Sequence, residues 1–127
     1  MLRGMRAPHE LILLGYWASE TEPQWPDPRG LVDHEWDPDE RDAVASYLDA
    51  GLIARGYMGF SPCRICGEAN GNMEYTDLTY VWPSGLAHYV RVHDVRLPTR
   101  FVEHATAIQD AVEMAERDTS WWRGVPS

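Results

Sequence analysis

SPCRICGEANGNMEYTDLTYVWPSGLAHYVRVHD, residues 61 to 94, is the stretch that decides the fold. It opens on Cys63 and Cys66, the two cysteines of the chain, and closes on His88 and His93. The pattern is C-x2-C, then 21 residues, then H-x4-H. Zinc takes four soft or borderline ligands in a tetrahedron, and the C-x2-C turn offers two thiolates from one side. Gly67, directly after the second thiol, frees the backbone to turn back so that amides face the sulfurs. The other two ligands come from a helix end. His88 and His93 stand five residues apart, about 140° round an ideal helix. The helix must therefore loosen in its last turn, and Asp94 marks where it ends.

Between the two halves, NGNMEYTDLTYVWP reads as a hairpin. EANGN, residues 68 to 72, supplies the turn chemistry, and the Tyr, Thr, Val and Trp positions supply the strands. Pro83 closes the hairpin, and Ser84 is placed to cap the short helix that carries the histidines.

A knuckle, a hairpin and a helix bearing a His pair resemble the zinc fingers of the two-Cys, two-His type. The resemblance covers residues 61–94 and implies that Cys63, Cys66, His88 and His93 are structural zinc ligands. The chain departs from that family in its middle spacer, 21 residues where DNA-reading fingers use about 12. Its histidine helix also lacks a basic, base-reading face, offering only Arg91. The resemblance thus implies the metal and not DNA reading. The wording C-R-x-C-G, N-G, E-x-T-D and Y-V-W-P-x-G-L-A-H-Y-V-x-x-H-x-V-R-L-P is also similar to a group of bacterial proteins, a similarity that brings no activity with it.

Other readings of the cysteines fit less well. A redox C-x-x-C sits at a helix N-terminus after a strand, whereas turn and hairpin follow here. A structural disulfide is disfavoured in a reducing compartment. Two thiolates and two imidazoles complete a closed, structural site. If one His is not a ligand, two thiolates and one His form a catalytic set, with Glu68, Glu74 or Asp77 as candidate general base. The sequence has no H-E-x-x-H and no deaminase pairing of H-x-E with P-C-x-x-C.

Outward from this core, N-terminal residues LILLGYWA, 11 to 18, read as a buried strand, not a signal peptide. Three prolines, Pro23, Pro26 and Pro28, then forbid regular structure across an acidic loop, residues 20–36. Asp37, Pro38 and Glu40 form a strong helix start, Val44, Tyr47 and Leu48 give the apolar stripe, and Gly51 stops it. LIARGYMGF, 52 to 60, reads as a strand or extended arm. A last helix is expected over about 99–118, with Phe101, Ala105, Ile108, Val112 and Ala115 on one stripe. Of the six tryptophans, Trp17, Trp36 and Trp82 read as core, Trp25 as packed, and the Trp121–Trp122 pair as either folded back or exposed. His9 reads as exposed, His34 as a loop charge partner and His104 as a packed helix histidine.

The chain has 127 residues, 44% hydrophobic, a size for one domain with a sizeable core. Its net charge is −9, and all eleven basic residues are arginine, which rules out Schiff-base chemistry by lysine. Residues 20–42 hold nine acids against Arg29 and Arg41. That balance argues against nucleic-acid binding and suits a basic protein partner. No apolar run reaches 18 residues, so neither a membrane span nor a membrane partner is expected, and the expected compartment is the cytoplasm. No P-loop, nucleophile elbow or dinucleotide fingerprint is present.

The expectation is one α+β domain, residues 1–127, with a short antiparallel sheet, about three helices and a zinc knuckle. The expected role is a zinc-stabilised interaction module (an adaptor, regulator or toxin-neutralising protein) that meets a basic partner through its acidic face. The rival is a small zinc hydrolase with an open metal position.

Overall fold

The computed structural model describes residues 10–124; His9 lies outside them. The architecture is α+β. Strand β1 spans Ile12–Leu13, helix α1 Pro38–Asp49, β2 Leu52–Gly56, β3 Met73–Thr76, β4 Tyr80–Pro83, α2 Leu86–His93 and α3 Thr99–Met114. A 3-10 turn, Pro28–Leu31, interrupts the proline loop. The strands make one sheet in the order β1-β4-β3-β2, antiparallel except that β1 runs parallel to β4.

Helix α1 starts where its punctuation says: Pro38 is its first residue, and the Asp37 side chain accepts from the Asp39 amide. Its buried residues Val44, Ala45 and Leu48 lie in one core cluster with Leu86, Ala87 and Val90 of α2 and Phe101 of α3, and Tyr47 packs edge to face on Phe101. Trp82 of β4 is fully buried at the junction, and its indole N–H donates to the Leu48 carbonyl at 3.1 Å. Gly51 lies so close to Trp82 and Tyr75 that a Cβ there would stand 2.8 Å from the indole. The α1–β2 turn is thus glycine by necessity of space.

The hairpin forms, but its turn is not EANGN. Tyr75 pairs with Trp82 and Thr76 with Val81, so the chain reverses at Asp77–Thr79. The Asp77 carboxylate accepts from the amides of Thr79 and Tyr80, and Leu78 takes the left-handed conformation at φ 76°. EANGN instead leads the knuckle back to β3. Ser84 does not cap α2; its hydroxyl accepts from the Met73 amide, and Gly85 holds the cap position without a side-chain bond. Gly85 is packed hard against Asn70, where a Cβ would meet the carbonyl oxygen at 2.2 Å.

Two other expectations change. Strand β1 is two residues long and exposed, at 50% for Ile12 and 51% for Leu13, because it is a sheet edge; the burial falls on Leu14 and Trp17 after it. Helix α3 stops at Met114, and its stripe is buried only at Phe101 and Ala105. Gln109 still donates to the Ala43 carbonyl of α1 at 2.9 Å, and beyond it Val112 runs on past the body at 60% exposed. Trp121 and Trp122 pack edge to face on each other at 4.7 Å but are exposed. Trp17, Trp36 and Trp82 are core as expected, and Trp25 is half-buried against the edge of Tyr16. The proline loop is ordered: Val32 bridges Val95, and the Arg96 amide donates to Leu31. Among the described residues, no helix is long and apolar enough to cross a membrane.

Candidate metal centre

The segment 61–69 folds into a knuckle through its own backbone. Pro62 bridges Ala69, the Cys63 amide donates to the Glu68 carbonyl at 2.8 Å, and the Gly67 amide donates to the Cys63 carbonyl at 2.8 Å. Gly67 has φ +78°, the left-handed turn the sequence called for. This reversal puts both sulfurs on one side. The opposite side comes from α2. Its last turn unwinds at Asp94, which has φ 54°, while the Val95 amide reaches back to the Tyr89 carbonyl at 3.1 Å. The rings of His88 and His93 thereby approach to 5.0 Å between centroids.

One ligand atom from each of Cys63, Cys66, His88 and His93 lies within 4.8 Å of all the others. The Cys66 Sγ is 3.5 Å from the His88 Nε2. A tetrahedral metal at ordinary zinc distances puts such atoms about 3.3–3.8 Å apart, so a small inward movement completes a site. A second observation fits a metal. The His93 Nε2 is sealed from solvent and has no hydrogen-bond partner. A buried polar nitrogen is costly unless something binds it.

The surroundings favour the ligand-competent form at Cys63 and at His88 and oppose it at Cys66. Burial pushes the Cys63 thiol up, but bonds from the Cys66 and Ile65 amides, from Cys66 and from Tyr89 outweigh it and draw the thiol below its ordinary value. Cys66 receives the Glu68 amide, yet desolvation and the neighbouring Cys63 sulfur leave its thiol raised. Desolvation first, then the neighbouring His93, lower His88 against the pull of Glu68, which keeps the imidazole neutral. Tyr89 ties the two halves together: its hydroxyl accepts from the Arg64 amide at 2.7 Å, and its presence helps to lower the Cys63 thiol.

The three carboxylates considered as bases part company. Glu68 stays at the centre, its Oε2 3.8 Å from the Cys66 Sγ. Glu74 is buried and accepts from the Tyr16 hydroxyl at 2.5 Å, the Tyr57 hydroxyl at 3.3 Å and Arg55 at 3.1 Å. Asp77 accepts from Tyr47 at 2.6 Å and pairs with His104 at 2.8 Å. Both are structural hubs, and the sequence held no signal for Glu74 in that role. His34 pairs with Asp94 at 2.8 Å as a loop charge partner. Arg91 and Arg96 pair with Asp49 and Asp33.

The chain matches no family model, no curated protein and no solved structure, so this cluster is interpreted on its own geometry.

Proposed function

We propose that the protein is a zinc-stabilised interaction module whose metal, held by Cys63, Cys66, His88 and His93, is a structural staple. The observation that carries this reading is the mutual approach of four donor atoms within 4.8 Å, two sulfurs and two imidazole nitrogens. Two soft thiolates with two imidazoles suit zinc, and four protein donors close its shell. Zinc so bound supplies cohesion between knuckle and helix, not a reactive water.

The function then lies at the surface. The net charge of −9 favours a basic protein partner. Within residues 20–42 several acids are already engaged: Asp27 with Arg29, Asp33 with Arg96 and Asp42 with Arg41. Glu20, Glu35 and Asp39 are exposed and make no ion pair among the described residues. These carry the acidic face that an adaptor, a regulator or a toxin-neutralising protein uses.

A second reading is favoured by one observation, the Glu68 carboxylate beside the exposed Cys66 sulfur. With one histidine off the metal, Glu68 is the general base of a small hydrolase. Elemental analysis and zinc-edge X-ray absorption of the purified protein separate the two. One zinc with two sulfurs and two imidazoles supports the staple. Two sulfurs, one imidazole and one light oxygen ligand overturn it in favour of the enzyme.

A further inference from the structure

Strand β2 ends the sheet, so the backbone groups along its outer edge have no strand beside them among the described residues. All five of its residues are exposed. The chain stays extended beyond it: the Tyr57 amide donates to the Asn72 carbonyl at 2.7 Å, and the Ser61 amide to the Gly71 carbonyl at 3.2 Å. Leu52, Ile53, Tyr57, Met58 and Phe60 therefore stand on a fixed ledge, from 45% exposed at Tyr57 to wholly exposed at Met58. Folding leaves a run of large apolar side chains in water, beside an open ladder.

A free edge is ordinarily blunted by exposed charges, by proline or by a bulge. Strand β2 holds no proline, and its one charge, Arg55, is turned to Glu74 of β3 at 3.1 Å. A bulge between Ile53 and Arg55 twists the middle of the edge but leaves apolar side chains on both flanks. The edge is thus open to a further strand.

We propose that this edge is the seam of a homodimer, in which β2 pairs antiparallel with β2 of a second copy about a two-fold axis. Two observations select a second copy as the occupant. The first is area. A large side chain buries about 150–250 Å², so the exposed fractions on the ledge amount to about 600 Å² of apolar surface. With the backbone edge added, this approaches the roughly 800 Å² that each partner gives to a standard interface. The second is charge. Residues 50–67 are the longest stretch of the chain without an acid, in a protein of net charge −9. Two copies repel each other over most of their surface, and here that repulsion is least. A two-fold axis near Ala54 needs only this one patch, because each strand offers the donors and acceptors that the other lacks. It sets Leu52 opposite Gly56 of the second copy and joins the two sheets into one of eight strands. The inference stands apart from the acidic face, which the dimer leaves free on both copies.

The test is sedimentation velocity on the full chain from about 1 to 200 µM, with amide hydrogen exchange at both ends of that range. A species of twice the chain's mass is expected, with a Kd of about 10 µM or tighter. At high concentration the β2 amides that face away from β3 exchange at least about tenfold more slowly. Raising the salt from about 0.05 to 0.5 M tightens the pair, because it screens like charges. Ile53→Lys combined with Met58→Lys, both at exposed sites, weakens the dimer at least about 100-fold while circular dichroism stays unchanged. Val112→Lys combined with Trp122→Lys, on the other exposed apolar end, leaves it as it was. A monomer at every concentration overturns the proposal, and so does a dimer whose β2 amides exchange as fast as the monomer's; neither measurement needs a variant. A dimer that survives the β2 lysines, or is lost with those at Val112 and Trp122, has its seam elsewhere and overturns it too. Weakening by salt means that ion pairs hold the copies together, and it overturns the neutral seam.

Discussion

The Cys66 Sγ and the His88 Nε2 stand 3.5 Å apart although 22 residues separate them in the chain. They belong to different elements, which also meet through the Tyr89 hydroxyl, the Asn70–Gly85 contact and the packing of Cys63 and Ile65 on the core. A metal held by all four side chains, as proposed, would tie knuckle directly to helix, so its removal would cost stability beyond the site itself. Stripping it with a chelator is expected to lower stability by about 3 kcal/mol or more, a fall in Tm of roughly 10 °C. Cys66→Ser produces the same shift without a chelator. Thermal unfolding followed by circular dichroism, with metal content measured alongside, checks both; an unchanged Tm in either sinks the staple.

Tyr89 reaches the centre from behind. Tyr89→Phe keeps the ring and its edge-to-face packing on Trp17 but removes the hydroxyl that takes the Arg64 amide, next to Cys63 in the chain, and helps to lower the Cys63 thiol. Loss of such a supporting group typically costs metal affinity about 10- to 100-fold. Competition against a chromophoric chelator measures this directly, and an affinity within about twofold of the parent refutes the role given to the hydroxyl.

One helix stripe carries two different outcomes. Phe101 is fully buried among Tyr47, Tyr80 and Trp82, whereas Val112 is 60% exposed. Phe101→Ala is expected to cost about 3–5 kcal/mol, and Val112→Ala to stay within about 0.5 kcal/mol. Chemical denaturation of the two variants tests the contrast; comparable losses contradict the free end of α3.

Asp77 sets part of the acid limit. Burial alone raises its carboxyl, but the Tyr47 hydroxyl, the Tyr80 and Thr79 amides and His104 outweigh burial and leave it below the ordinary 3.8. A carboxylate lowered on folding adds stability that is complete above its unfolded value and is lost as pH falls through the lower folded value. Stability is thus expected to drop below about pH 4 partly on this account. Asp77→Asn removes about 1–3 kcal/mol at neutral pH and flattens that part of the acid limb. Denaturation midpoints from pH 2 to 7 for parent and variant decide it, since parallel curves exclude the effect.

Much of the centre was legible because its residue types are scarce. Two cysteines and a spaced histidine pair leave few ways to make a tetrahedral donor set, and Gly67 marked the reversal. Helix α1 was legible from the Asp37–Pro38 start, whose chemistry is local. The hairpin turn was not. Residues 68–72 hold the stronger local turn signal, yet the reversal sits at Leu78, which is held left-handed by the Asp77 carboxylate on the following amides. The buried Glu74 was equally hidden, because its three partners come from residues 16, 55 and 57 and meet only in three dimensions. The stripe on α3 had helical period to its end, but period reports which face is apolar and not how far the body extends beneath it.

The hairpin between the two halves of the cluster also measures the distance between them. Glu74 stands opposite Pro83 and Thr76 opposite Val81, and only that alignment brings the knuckle level with α2. A slip of two residues, which keeps every side chain on its own face, displaces one arm by about 6.6 Å. That exceeds the 4.8 Å within which all four donors lie. On the proposed reading, a chain that pairs its strands wrongly has no cage to fill, so a bound ion would act as a proofreader of strand alignment and withdraw only correctly zipped chains from the folding pool.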